Sequence, residues 1–372
     1  MTDNNIQAFF ALVRAGLWEQ GVRLSPYGNI DFDTVFRLAS EQAVVGLVAA
    51  GMEKVTDVKI PQTVALNLAG TAIQMEQHNL AMNTFIAELV EKMRDANIYT
   101  VLVKGQGVAQ CYERPLWRSC GDVDLYLSQE EFSRAREYLR PLAQKIEPDN
   151  NETKHINMVM KDSGWVVEIH GDQYTELSFK IDRGLDEVHR SIFHNRDVRV
   201  WEDGNTVVYL PSTDNDVLIV FTHYLKHFFK GGLGLRQICD WCRLLWKYKG
   251  TINHSLLEKR LRKMGLIPEW NAFAYFSIEY LGMPVDAMPI YSSGKQFKRK
   301  AKYILEYLLE SGNFGHNKDL SFYRSKWYMI RKLGAMSYKL GSICRHAIVF
   351  PNSIVFIPTL IYNGLRSVSR GE

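Results

Sequence analysis

Three strings decide the reading of this chain: Ile98-Tyr-Thr-Val-Leu-Val-Lys104-Gly105, Gly121-Asp122-Val123-Asp124-Leu125-Tyr126-Leu127 and Trp165-Val-Val-Glu168-Ile-His170. The first reads as an apolar strand ending in Lys-Gly. A polar, arginine-bearing segment, Tyr112 to Arg118, separates it from the second. The second sets two aspartates two apart in a strand, and side chains at i and i+2 share one face. Asp122 and Asp124 therefore stand side by side, while Val123 and Leu125 face a core. Two like charges this close raise each other's pKa unless a cation sits between them. Mg²⁺ suits such oxygen ligands and usually shares them with phosphates. In the third string Trp165, Val167 and Ile169 share one face, and Val166, Glu168 and His170 the other. Taken singly, Asp-x-Asp also suits a solvated turn, and Glu168 a solvated outer face. Their company in one region is what points to a metal site held by Asp122, Asp124 and Glu168.

A strand ending in Lys-Gly, then Gly-Asp-x-Asp, then an acid on a later strand resembles the nucleotidyltransferase fold of the DNA polymerase β type. More narrowly, Leu-Val-Lys-Gly, Arg-Ser-Cys-Gly-Asp-Val-Asp-Leu and Val-Glu-Ile-His resemble bacterial nucleotidyltransferase-like proteins linked to surface-polysaccharide and peptide-modification clusters. The resemblance spans roughly residues 30 to 310. The wider family usually carries Gly-Gly or Gly-Ser where this chain has Lys104-Gly105. The resemblance implies an α+β fold: a mixed-sheet nucleotidyltransferase core flanked by helical regions. It also implies a nucleoside triphosphate as donor, Mg²⁺ (or Mn²⁺) as cofactor, and phosphate-side roles for Gly105 and Gly121. Asp122 and Asp124 would hold the metal, and Glu168 would complete the set or take the acceptor's proton. Positioning and electrostatics would supply most of the catalysis. The acceptor stays open between a small molecule, a sugar-pathway intermediate, a peptide and a protein side chain. A nucleotide-binding or regulatory module with the same fold and little catalysis is the alternative.

Lys104 is either an ordinary strand-end lysine or a point charge for a triphosphate. Arg118 is either a surface arginine or a bidentate phosphate fork. His223 and His227 lie i and i+4 on one helix, a spacing able to hold zinc. No Glu follows His223 and no third ligand is evident, so a structural or substrate-facing role for the pair, with His170, is expected. Arg236 and Asp240 are also four apart. They read as an i,i+4 ion pair worth about a few tenths of a kcal/mol, or as cleft residues reaching toward substrate.

Length and composition bound the rest. The chain has 372 residues, 46% hydrophobic and 23% charged, enough for a sizeable core in two or three units. The expected division is a helical region over 1–95, the core over 96–210, a helical domain over 211–310 and a basic, aromatic segment over 311–372. The net charge of +4 does not by itself call for nucleic acid. From Lys295 to Glu372 there are fourteen basic and four acidic residues, a net of +10; the remainder holds 31 and 37, a net of −6. The catalytic region lacks a basic stripe, so nucleic acid is not an expected partner. The terminal segment could pack on the body, bind an anionic polymer or lie on an anionic membrane; packing is preferred because Trp327, Tyr328, Ile330 and Leu333 are costly to expose. Five cysteines, an odd count, with no signal-peptide pattern point to a cytoplasmic setting. Cys239 and Cys242 have CxxC spacing without a second metal pair and read as core thiols. No run of about 18 uninterrupted apolar residues predicts a spanning helix.

The periodicity predicts a first helix near the N-terminus, a second from Asp33 to Ala39 continuing through Gln42 to Gly51, and a third over Gln62 to Arg94. Ser128-Gln-Glu-Glu131 is a capping box opening another. Hairpins are expected about Asp162-Ser-Gly164 and about Asp203-Gly204. A helix follows Pro211-Ser212-Thr213 and closes at Gly231-Gly232.

Overall fold

The computed structural model describes residues 3–147, 154–204, 206–313, 341, 344–359 and 361–362. Helix α1 (Asn4–Trp18) buries Phe9, Phe10, Leu12, Val13 and Leu17. Helix α2 (Phe32–Glu41) starts at the Asp31 cap and ends at Gln42, and α3 (Val45–Met52) follows as a separate helix. The continuous helix expected through Gln42 is thus broken, with Ala43 at φ 55°. The cause is tertiary. The Gln42 side chain donates to Leu308 O at 2.8 Å and accepts from Leu235 N at 3.0 Å, which fixes the chain where the helix would have run on. Helices α1 and α3 cross with their backbones in contact. A Cβ on Gly16 would lie 1.9 Å from Leu47 O, and one on Gly51 would lie 2.0 Å from Leu12 O, so glycine is required at both positions.

Helix α4 (Gln62–Asp95) follows Pro61 and carries Lys92 and Arg94 in its last turn, where cations favour the helix dipole. It leads to β1 (Val101–Val103), shorter than the expected strand because Ile98 N still bonds Met93 O at the helix end. Then come α5 (Gly105–Ala109), β2 (Asp122–Tyr126) and α6 (Gln129–Leu139), whose Ser128 cap accepts from Glu131 N. Strands β3 (Ala143–Ile146), β4 (His155–Met160) and β5 (Val166–His170) complete a five-stranded sheet of order β1-β2-β5-β4-β3. The β2–β5 pair is parallel and the other three pairings are antiparallel. The fold is therefore α+β with a mixed sheet and helical flanks.

Helix α7 (Phe179–Phe193) and strand β3 are additions to the expected set. The signal for α7 is the Ser178 cap followed by Ile181, Leu185, Val188 and Ile192, all buried on one stripe. Strands β6 (Val198–Asp203) and β7 (Thr206–Pro211) form the second hairpin. The helical remainder is α8 (Thr213–Lys230), α9 (Leu235–Lys247), α10 (His254–Met264), α11 (Ile267–Leu281) and α12 (Lys295–Ser311).

The sheet has two unlike faces. Val123, Leu125, Val167, Ile169 and Met158 bury against Ile86, Leu89 and Val90 of α4 and Phe132 and Leu139 of α6. Strict alternation then puts Asp122, Asp124 and Glu168 on the opposite face. Helix α7 covers one end of that face, where Tyr126 meets the rings of His189 and Phe193 at 5.3 and 5.2 Å. The Asp122 end stays partly exposed. Near the C-terminus, Phe350 and Phe356 are buried against Phe228 and Phe229. Trp327, Tyr328, Ile330 and Leu333 lie outside the described residues. Among the described residues, no helix is long and apolar enough to cross a membrane.

Glu269, in the first turn of α11, is fully buried, and neither carboxylate oxygen has a hydrogen-bond partner among the described residues. Burial pushes its carboxyl up to about 7. An acid whose folded-state pKa is raised costs stability as pH climbs from the unfolded value, near 4.5, through the folded one. The full penalty, about 3 kcal/mol, applies above pH 7. Glu269→Gln is expected to be more stable than the parent at pH 8 by an amount of that order, with the difference vanishing near pH 4. Urea midpoints across this range check it, and a pH-independent difference would refute the assignment.

Candidate active site

Parallel pairing sets Asp124 opposite Glu168 and Asp122 opposite Val166, so three carboxylates from two neighbouring strands share one face. Beside them is Lys104, which follows β1 at φ 57° and ψ −143°, a conformation rare for a residue with a Cβ. It brings its ammonium 2.6 Å from Asp124 Oδ1. His170 Nε2 pairs with the same oxygen at 2.9 Å and lies 3.5 Å from Glu168 Oε2. His155, from β4, places its Nε2 3.2 Å from Glu168 Oε2. Asp124 is 4% exposed, less accessible than an open cleft position would be.

The three acids are not equivalent. Asp122 has no side-chain hydrogen bond or ion pair among the described residues, and the Asp124 charge, then burial and Glu168, push its carboxyl up to about 6. Burial acts to raise Asp124, but Lys104 and the His170 hydrogen bond outweigh it and hold it below the usual carboxylate range. At Glu168, burial is likewise overcome by hydrogen bonds from His155 and His170 and by Lys104, leaving it strongly acidic. Lys104 loses to burial less than it gains from Asp124, Glu168 and Asp122, so its ammonium is held charged. One ammonium thus faces three acids, and the negative excess centres on Asp122. Such an acidic face would attract a hard divalent cation such as Mg²⁺ or Mn²⁺, although among the described residues only His155, Glu168 and His170 bring three ligand atoms within 4.8 Å of one another.

The loop before β2 is anchored from several sides. Asn79 of α4 donates to Leu116 O at 2.7 Å and Arg118 O at 2.8 Å. A Cβ on Gly105 would meet Cys120 Sγ at 3.4 Å and Asp122 O at 3.5 Å, which sets Gly105 against the entry to β2. Gly121, by contrast, faces open space.

Two expected substrate residues have other work. Arg118 Nε and Nη2 donate to Asp240 Oδ1 and Oδ2 at 2.8 and 2.7 Å, and Tyr112 OH donates to Oδ1 at 2.7 Å. Both charged side chains are buried, so Arg118 is neither a surface arginine nor an open phosphate fork. The Arg236–Asp240 ion pair is replaced by this one. Arg236 instead donates to Ser119 O, and its charge lowers Asp122. On α8, His223 and His227 pair through their Nε2 atoms at 3.2 Å. Burial first, then the Lys104 charge, depresses both, His227 to about 4. The pair is therefore neutral at pH 7 and lies within the field of Lys104.

His155 was not among the residues singled out from the sequence. Its signal was the hairpin register, which puts His155 directly opposite His170 and stacks the rings at 4.6 Å and 26°.

The chain belongs to the family described as uncharacterised nucleotidyltransferase, whose model matches residues 28–281. That span runs from α2 to the end of α11, so the family unit includes helices on both sides of the sheet. A crystal structure of an antigenic nucleotidyltransferase-like protein from Paracoccidioides brasiliensis is similar at 14% identity and a TM-score of 0.33, covering 55% of this chain and 93% of that one. So loose a superposition carries no argument. No curated protein matches.

Proposed function

We propose that this chain transfers a nucleoside monophosphate from a nucleoside triphosphate to an acceptor, using a divalent cation held by Asp122, Asp124 and Glu168. The observation that carries this reading is the row of three carboxylates on one sheet face with Asp122 left unpaired. When bound, Mg²⁺ or Mn²⁺ would neutralise charge developing on the phosphates. Lys104 holds Asp124 in its charged form and adds a positive charge beside the row. His170 orients Asp124 and Glu168 through one ring nitrogen. Glu168, kept ionised, completes the acidic row as the acceptor attacks the α-phosphorus, the bond to pyrophosphate breaks and the acceptor's proton passes to solvent. Arg236 contributes positive potential at the Asp122 end. His223 and His227 are neutral hydrogen-bonding groups that line this side without adding charge.

One observation favours a second reading. The Lys104 ammonium and the His170 ring already satisfy Asp124 Oδ1, as in a module that binds nucleotide and turns it over slowly if at all. Calorimetric titration of the full chain with a non-hydrolysable triphosphate separates the two when paired with a pyrophosphate-release assay. Binding that requires Mg²⁺ and disappears with chelator is expected, together with pyrophosphate release from a hydrolysable triphosphate. Metal-dependent binding without release would favour the module. Binding indifferent to chelator would overturn the metal assignment.

A further inference from the structure

The sheet carries a second set of ligand atoms, chemically unlike the first. His155, Glu168 and His170 direct Nε2, Oε2 and Nε2 at one another, with all three ligand atoms within 4.8 Å. The two nitrogen-to-oxygen separations are 3.2 and 3.5 Å. A tetrahedral ion with bonds of about 2.0–2.1 Å has an edge of roughly 3.3 Å, which these separations bracket. The strands hold the donors in place. His155 and His170 are register partners across an antiparallel pair, and Glu168 is two residues from His170 on the same face. His170 is buried, Glu168 is mostly buried, and the His155 side chain is 43% exposed, which gives the set a solvent-facing entry.

Two imidazoles and one carboxylate form a donor set for zinc-class ions, not for Mg²⁺, which favours oxygen ligands, and in binding one, His170 Nε2 gives up its hydrogen bond to Asp124 Oδ1. We propose that His155, Glu168 and His170 bind a borderline-soft divalent cation of the zinc class at a site distinct from the all-oxygen site. Glu168 belongs to both. A zinc-class ion withdraws it from Asp122 and Asp124 and thereby antagonises loading of the oxygen site. The His₂Glu set stands on these three side chains whether or not the chain transfers nucleotides; only the antagonism rests on the transferase reading.

The test is a Co²⁺ titration of the metal-stripped full-length protein followed by visible absorption, with no nucleotide present. Its failure and a failure of the transferase reading are therefore separate results. The expected result is the intense visible band of four-coordinate Co²⁺, displaced by Zn²⁺ but not by about a thousandfold excess of Mg²⁺. Loss of a direct ligand should cost at least the ten- to hundredfold in affinity that loss of an outer partner costs. His155→Ala should therefore weaken Co²⁺ binding by about a hundredfold or more and abolish the band, whereas Asp122→Asn should keep both. The exposure of His155 makes its truncation tolerable, and equal metal-free unfolding midpoints for parent and variant confirm it. A weak six-coordinate spectrum in the parent would overturn the proposal. So would identical titrations of the parent and His155→Ala, or loss of Co²⁺ binding in Asp122→Asn with retention in His155→Ala.

Discussion

Asp122→Asn is expected to lower metal-dependent triphosphate turnover by about a thousandfold or more while leaving the metal-free protein at least as stable as the parent. A thousandfold corresponds to about 4 kcal/mol of transition-state stabilisation, the order expected when one carboxylate of a charge-neutralising metal set is removed. Stability moves the other way because Asp122 is the acid with no partner. Its carboxyl is pushed up to about 6 chiefly by the neighbouring Asp124. With the folded value above the unfolded one, its ionisation penalty is absent near pH 4 and fully present above pH 6. Partial exposure limits that penalty to about 1–2 kcal/mol. Asparagine removes it, so the variant should gain stability at pH 8 and none at pH 4. Asp124→Asn should also lose turnover, but at a cost in stability, because it leaves the largely buried Lys104 ammonium without its partner at 2.6 Å. Pyrophosphate release and urea midpoints on the two variants check both halves. Unchanged turnover in Asp122→Asn would remove this carboxylate from the reaction.

The carboxylate row was legible in the sequence because it depends only on the two-residue period of a strand. Once Asp122, Asp124 and Glu168 lie in strands with apolar alternates, their faces are fixed, and parallel pairing then brings Asp124 and Glu168 together. What stayed hidden depends on contacts far apart in sequence. The spacing of Arg236 and Asp240 suggests a local pair, but Arg118, 122 residues away, reaches Asp240 with a bidentate geometry that a helical neighbour did not match. The break after α2 is hidden for the same reason, since Gln42 is claimed by Leu308 and Leu235 rather than by anything adjacent. His155 falls between these cases. Its hairpin was readable, but its partner depended on the register about Asp162-Ser-Gly164, where a slip of one residue would have turned it to the other face.

Asp240→Ala is expected to destabilise the protein by about 3–5 kcal/mol at pH 7, the largest effect on stability anticipated for a single change near the site. Removing one partner of a buried ion pair leaves the other charge without compensation, and such losses exceed what the pair itself contributes. Here the stranded group is the Arg118 guanidinium, 7% exposed, and Tyr112 OH loses its acceptor as well. The pair fastens the loop before β2 to α9, so its loss also loosens the entry to Asp122. Replacing both members with apolar residues, Arg118→Met with Asp240→Leu, should recover most of the stability because no buried charge is then left unpaired. The same double variant decides whether Arg118 serves as a wall or as a ligand. If its charge is spent on Asp240, triphosphate affinity should stay within about threefold of the parent, since no net charge facing the nucleotide is lost. Urea unfolding and calorimetry on the three proteins measure both quantities. A cost below about 1 kcal/mol for Asp240→Ala would mean that the pair is solvated rather than buried. A loss of triphosphate affinity of about a hundredfold in the double variant, with stability recovered, would return Arg118 to the substrate.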